Sequence, residues 1–228
     1  MKQNFLKVNY ESHETILSSY DQIADRFAKH IIIEINGAGY RIIDFEFYSY
    51  AENFADPHTY KNDLQLLAYK FYLHGSGIDI TFGDGKNHGG ILLRSVIKLS
   101  NGLAPKTDFV QKQFNGSQIV ATELFSNLKP LNIDSNNIIR LTDIDELNIQ
   151  SLFSSPLRIM KTQRVGLTKK EKDKEDYYKD LNIRYIILVS NFKQKIKDSE
   201  RIFREQVVLG TTTPEDAKRI LGYNLGEK

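Results

Sequence analysis

Arg41-Ile-Ile-Asp-Phe-Glu-Phe-Tyr-Ser-Tyr50 alternates polar and aromatic residues in a run rich in β-branched and aromatic side chains, which predicts a strand. Successive side chains on a strand point to opposite faces, so Asp44, Glu46 and Tyr48 share one face while Phe45 and Phe47 share the other. Two acids and a phenol therefore line one surface. Burying a carboxylate is costly unless it is paired, and a glutamate flanked by aromatics has its charged form disfavoured and its basicity raised. Glu46 is thus a candidate general base. The alternative is a solvated outer face of an edge strand.

Upstream, Ile16, Leu17, Tyr20, Ile23, Ala24 and Phe27 recur at helical spacing and predict an amphipathic helix over residues 14 to 29. His30 to Ile35 is β-branched, and Asn36-Gly-Ala-Gly39 supplies turn chemistry, so the two strands form a hairpin. Downstream, Asp63 to Leu73 reads as a short helix or an extended buried segment. Ile78 to Phe82 and Ile91 to Leu99 read as strands, joined by the loop from Gly83 to Gly90. Ser117 to Leu128 predicts a helix, and Asp134 to Arg140 a connection. Ile138 to Leu141, Arg158 to Lys161 and Ile183 to Val189 are expected strands. This order lacks a regular βαβ alternation. It implies a mixed α/β single domain on a curved, largely antiparallel sheet with flanking helices.

Residues 192 to 228 differ in character. Phe192 to Val208 has polar and apolar residues at helical spacing, and Thr213-Pro-Glu-Asp216 is a helix start, with Thr as cap and acids near the positive end of the dipole. The expected organisation is a main domain over residues 1 to 191 and a helical C-terminal extension, 192 to 228, packing on or near it.

The 228 residues contain no Cys, which excludes disulfides, thiolate metal sites and cysteine nucleophiles. No apolar run approaches the ~20 residues needed to span a bilayer, and the first residues have no signal-peptide core. A cytoplasmic protein without a membrane partner is the expectation. The formal charge of +2 conceals an asymmetry: residues 158 to 204 carry 14 Lys and Arg against 7 Asp and Glu, which leaves 17 against 22 elsewhere. Such a basic region is an electrostatic footprint for phosphates. The mixed-sign run Lys169 to Asp176 also reads as a solvated loop.

Six fragments in order resemble the alkyladenine (3-methyladenine) DNA glycosylase family. They are Ile23-Ala-Asp-Arg-Phe-Ala-Lys-His-Ile-Ile-Ile33 running on into Arg41 to Tyr48, Asp56-Pro-His58, Gly90-Ile-Leu-Leu-Arg-Ser-Val96, Asn115-Gly-Ser117, Gln163-Arg-Val-Gly-Leu167 and Ile183-Arg-Tyr-Ile-Ile187. The resemblance covers about residues 21 to 188 and implies the fold of that family. It also implies a monofunctional glycosylase that excises alkylated or deaminated purines from duplex DNA in base excision repair. Glu46 then activates water, Arg94 helps to hold the water and a phosphate, and Tyr48 stacks on the flipped base with His58 at the pocket edge. Glu46 and Arg94 are expected to face each other, which favours the ionised carboxylate. Phe82, before Gly83, is the nearest equivalent of the aromatic that wedges into DNA. Arg164, Lys169 and Lys170 are expected phosphate contacts. No metal or cofactor is implied, and a monomer is expected.

The chain departs from that family in two places. Residues 82 to 94 are shorter than the corresponding hairpin, and Asp79 stands where a second pocket aromatic is expected. The acid adds negative charge to the pocket, which suits a cationic base or a different ligand. A non-catalytic protein that binds nucleic acid or nucleotide in the same pocket is the alternative. A hydrolase of free nucleosides is a third reading.

Overall fold

The structure is a computed structural model that describes residues 4–99, 112–130, 136–144, 158–167, 177–189 and 192–225. It is a mixed α/β domain built on a curled, antiparallel sheet with helices packed against it. Helix α1, His13–Lys29, opens at a reciprocal cap between Ser12 and Thr15 and buries Ile16, Tyr20, Ile23, Ala24 and Phe27. Strand β1, Ile31–Ile35, turns through Asn36 and Gly37 into the long strand β2, Ala38–Ala51. Both turn residues have positive φ, 48° and 87°, as a two-residue hairpin turn requires.

The sheet continues through β3, Phe54–Ala55; β4, Ala68–His74; β5, Gly77–Phe82; β6, His88–Leu99; and β7, Lys112–Asn115. It is completed by β8, Ile139–Asp143; β9, Arg158–Thr162; and β10, Arg184–Leu188. The spatial order is β4-β5-β6-β2-β1-β8, with β10 also pairing to β2 and β9 to β10. β2 is therefore interior, and the outer face of an edge strand is ruled out for Asp44 and Glu46. Residues 63–73, read from sequence as helix or extended segment, divide into a 3-10 turn, Asp63–Leu66, followed by β4.

The two faces of β2 are covered by different elements. Phe45 and Phe47 face α1, where Tyr20 stacks on Phe47 at 4.1 Å and Phe27 meets Phe45 edge-on at 5.3 Å. Helix α2, Ser117–Ser126, adds Val120, Ala121 and Leu124 to the same core cluster. The opposite face carries Asp44 and Glu46, and register places Ile186 and Arg184 of β10 beside them. After the single-turn helix α3, Tyr177–Asp180, the last two helices are α4, Ser199–Val208, and α5, Pro214–Leu221, and on that side Met160, Ile186 and Leu188 pack with Ile196 and with their Ile202, Phe203, Ala217 and Ile220.

The helix expected over 192–208 begins only at Ser199. Residues 192–196 form no regular element and 197–198 are a turn with Asp198 at φ 60°; Gln194 and Ile196 are buried and Lys193, Lys195 and Lys197 exposed. Tertiary bonds hold them so: Gln194 accepts from Val189 N at 2.8 Å and donates to Ile187 O at 2.9 Å, and Lys195 N donates to Gln113 at 2.7 Å. A side chain that satisfies the end of β10 outweighs a modest helical preference. No helix among the described residues is long and apolar enough to cross a membrane.

Candidate functional site

The polar face of β2 forms a buried ionic network. Asp44 holds Arg184 bidentately, with Nε to Oδ1 at 2.9 Å and Nη2 to Oδ2 at 2.7 Å. Glu46, with no exposed surface, accepts from the Tyr48 phenol at 2.8 Å and from Val165 N at 3.0 Å. Arg94 Nε stands 3.3 Å from Glu46 Oε1, and Arg184 Nε stands 3.9 Å from the same oxygen. A register irregularity in the β2–β6 pairing, between Ile42 and Phe45, accompanies the turn of Arg94 toward Glu46.

Burial raises the Glu46 pKa, and the nearby Arg94 and Arg184 charges oppose but do not cancel that effect. The arginines thus hold the carboxylate less firmly in its ionised form than their proximity suggests. The Tyr48 phenol is pushed well above its usual value, first by burial and then by the Glu46 charge, so it remains a donor.

Beside this network lies a cavity of about 200 Å³, lined in part by Tyr48, His58, Tyr60, His74, Asp79 and Leu92. It is smaller than the ~300–1,000 Å³ typical of sites for drug-sized ligands. Tyr48 is braced from another side by Arg164, whose guanidinium lies 4.5 Å over its ring. Arg164 in turn pairs with Asp56 and donates to Phe47 O and Tyr178 O. Asp56 also accepts from His58 N at 3.0 Å, which fixes the turn that carries His58 to the cavity.

Of the residues singled out from sequence, Glu46, Tyr48 and Arg94 meet in one cluster, and Tyr48, His58 and Asp79 line the cavity beside it. Two others are placed elsewhere. Phe82 is 1% exposed and packs among Tyr20 and Phe47. The reason is strand parity: Asp79 faces the cavity, so Phe82, an odd number of residues on, faces the α1 core and is not positioned as a wedge. Arg164 is buried and committed to Asp56 and Tyr48, which removes it as a phosphate contact. Lys169 and Lys170 lie outside the described residues.

The basic balance of residues 158 to 204 is likewise not simply a surface property. Arg184 is buried against Asp44, Lys161 pairs with Asp21, and Arg158 bonds Thr212 and Asp216. Asp56 and Arg184 stand in the sequence fragments quoted above without an expected role, and Gln65 and His74 are not singled out there. For Arg184 a signal existed, because an arginine within Ile183-Arg-Tyr-Ile-Ile-Leu188 needs a carboxylate partner. His74 and Gln65 carry no such local signature. Among the described residues no group of three or more His, Asp and Glu forms a metal-binding cluster.

No protein-family model matches the sequence. The chain is similar to an uncharacterized protein, L759, of Acanthamoeba polyphaga mimivirus, at 26% identity over an alignment of 205 positions, with 77% of this chain and 89% of the viral one covered.

Proposed function

We propose that this chain is a monofunctional DNA N-glycosylase that removes a damaged purine lodged in the cavity beside Tyr48. The observation that carries the reading is the junction of Glu46, Tyr48 and Arg94 in one polar cluster against the cavity. In the reaction a water oxygen bonds to the sugar C1′, the N-glycosidic bond breaks with its electrons passing to the base, and Glu46 takes the water proton. The Glu46 oxygen that accepts from Tyr48 retains a second lone pair for this purpose. Arg94 offsets the carboxylate charge, and the elevated Glu46 pKa improves it as a base. Among the described residues no lysine lines the cavity, which favours water over an amine nucleophile.

With Phe82 in the core, contact with duplex falls to exposed apolar side chains near the cavity. Leu73, beside His74 at the β4–β5 turn, is 54% exposed, and Tyr60 on the cavity wall is 52% exposed. DNA is the proposed partner, and the protein acts as a cytoplasmic monomer. The second reading, a non-catalytic nucleic-acid or nucleotide binder, is favoured by one observation: Glu46 is wholly buried, with Oε1 already engaged by Val165 and facing Arg94.

Base release from duplexes containing hypoxanthine, ethenoadenine or 3-methyladenine separates the two. Glu46→Gln retains shape but cannot take a proton, so a glycosylase loses roughly 10²–10⁴ in rate while still binding. Wild type that binds these duplexes and releases no base establishes the binder instead.

A further inference from the structure

The cavity is acidic at one end, and among the described residues no lysine or arginine stands in its walls. Asp79, 2% exposed, receives a hydrogen bond from Gln65 Nε2 at 3.0 Å on Oδ2 and has His74 Nε2 at 2.9 Å from Oδ1. Ser76 N donates to His74 Nδ1 at 3.2 Å. With Nδ1 facing the Ser76 N–H, Nε2 is the ring nitrogen that faces Asp79. Among the described residues Asp79 therefore has two side-chain partners, one on each oxygen. Each of its oxygens keeps a lone pair, and a buried carboxylate short of donors is costly until a ligand supplies them.

The site is built around this acid. A Cβ on Gly90, the β6 residue below, would overlap the Asp79 carboxylate and come within 2.8 Å of Gln65 Nε2. Leu92 is in register with Glu46 on one side and Asp79 on the other. The two acids thus stand two strand spacings apart, ~9–10 Å. A planar base laid across Leu92 has one edge at Asp79 and its sugar-bearing edge toward Glu46. At the other end, the Arg164 guanidinium over Tyr48 draws electron density from that ring, which favours stacking with a neutral plane over a cation.

We propose that Asp79 determines specificity: it selects a base that presents two adjacent N–H donors, the lactam and 2-amino edge of a guanine-type purine, over one that presents an acceptor there, as adenine does. A carboxylate meets such an edge with two parallel hydrogen bonds. The inference rests on reading the cavity as a base site, but not on hydrolysis.

The test is isothermal titration of the full chain with guanosine, inosine and adenosine, repeated with single-stranded thymine oligonucleotides carrying one guanine or one adenine. Guanosine is expected to bind on the order of tenfold more tightly than adenosine, with inosine, which lacks the 2-amino group, between them. Asp79→Asn, which replaces one acceptor by a donor, should erase the preference. The same ranking confined to the oligonucleotides supports the proposal and identifies the source as a polynucleotide. Equal affinity for guanine and adenine ligands in wild type, or no binding to any of them, overturns it even where the variant fails to fold. Base release is scored separately, so ranking without release removes the glycosylase and leaves the specificity intact.

Discussion

The two faces of β2 are buried alike and stabilised in unlike ways. Toward α1, Phe45 and Phe47 meet Tyr20, Phe27, Phe82 and Tyr185, and any set of apolar groups with the right volumes can fill such a layer. On the other face Asp44 and Glu46 depend on particular partners, Arg184, Arg94, Tyr48 and Val165, contributed by separate strands and a loop. A layer of the first kind tolerates exchange of parts. One of the second kind fails when a single partner is removed, because the remaining charge is left in a poorly solvating interior.

Truncation on the aromatic face gives the first test of that contrast. Phe47→Ala removes a ring in contact with Tyr20, Phe82 and Tyr185 and should cost ~3–5 kcal/mol in urea unfolding. Phe47→Leu should recover most of it. On the ionic face, Arg184→Met strands Asp44 and should also cost ~3–5 kcal/mol. Combining it with Asp44→Leu should restore much of the loss. A double variant as unstable as the single one would mean that Arg184 acts mainly through Glu46 or the chain segment at Lys197, whose carbonyl it also contacts.

A smaller effect tests the non-helical segment that precedes α4. Gln194→Ala leaves Val189 N and Ile187 O without their side-chain partner, at a cost of ~1–3 kcal/mol. Hydrogen exchange at Val189 should rise with it, whereas exchange in β1 should not.

The smallest effect is a slope. Glu46 has a folded pKa above its usual 4.5, chiefly through burial, so the folded chain binds more protons than the unfolded chain in the range just above that value. Its contribution to stability is therefore greatest at low pH and declines as pH rises through this range. Glu46→Gln lacks the term, so the variant should gain on wild type between pH 4.5 and pH 7.5 in paired urea titrations. A gap that moves in the opposite direction would show that Arg94 and Arg184 outweigh burial.

Local pattern carried much of this architecture. The helical spacing from Ile16 to Phe27, the Asn36-Gly37 turn and the alternation from Asp44 to Tyr48 each report a preference that neighbouring residues alone enforce. The same alternation contained the position of Phe82: applied from Asp79 onward it places that ring in the core, and only the expectation of a wedge obscured it. Residues 192–198 were misread because their helical spacing is weaker than the pairing that Gln194 and Gln113 provide from elsewhere in the chain. Glu46 and Arg94 stand out in the sequence because an acid or an arginine in an apolar strand must find a partner, and Tyr48 because it shares a strand face with Glu46.

The sequence by itself determined the alternating β2, the helix that covers its aromatic face and the requirement that its two acids be satisfied, because side-chain period and the cost of burying charge act within a few residues. Tertiary structure alone decided how they are satisfied. It brought Arg184 from 140 positions away onto Asp44, buried Arg164 under Tyr48, and closed Gln65, His74 and Asp79 into one wall of the cavity. Those contacts depend on which strands become neighbours, and that depends on how the whole sheet closes.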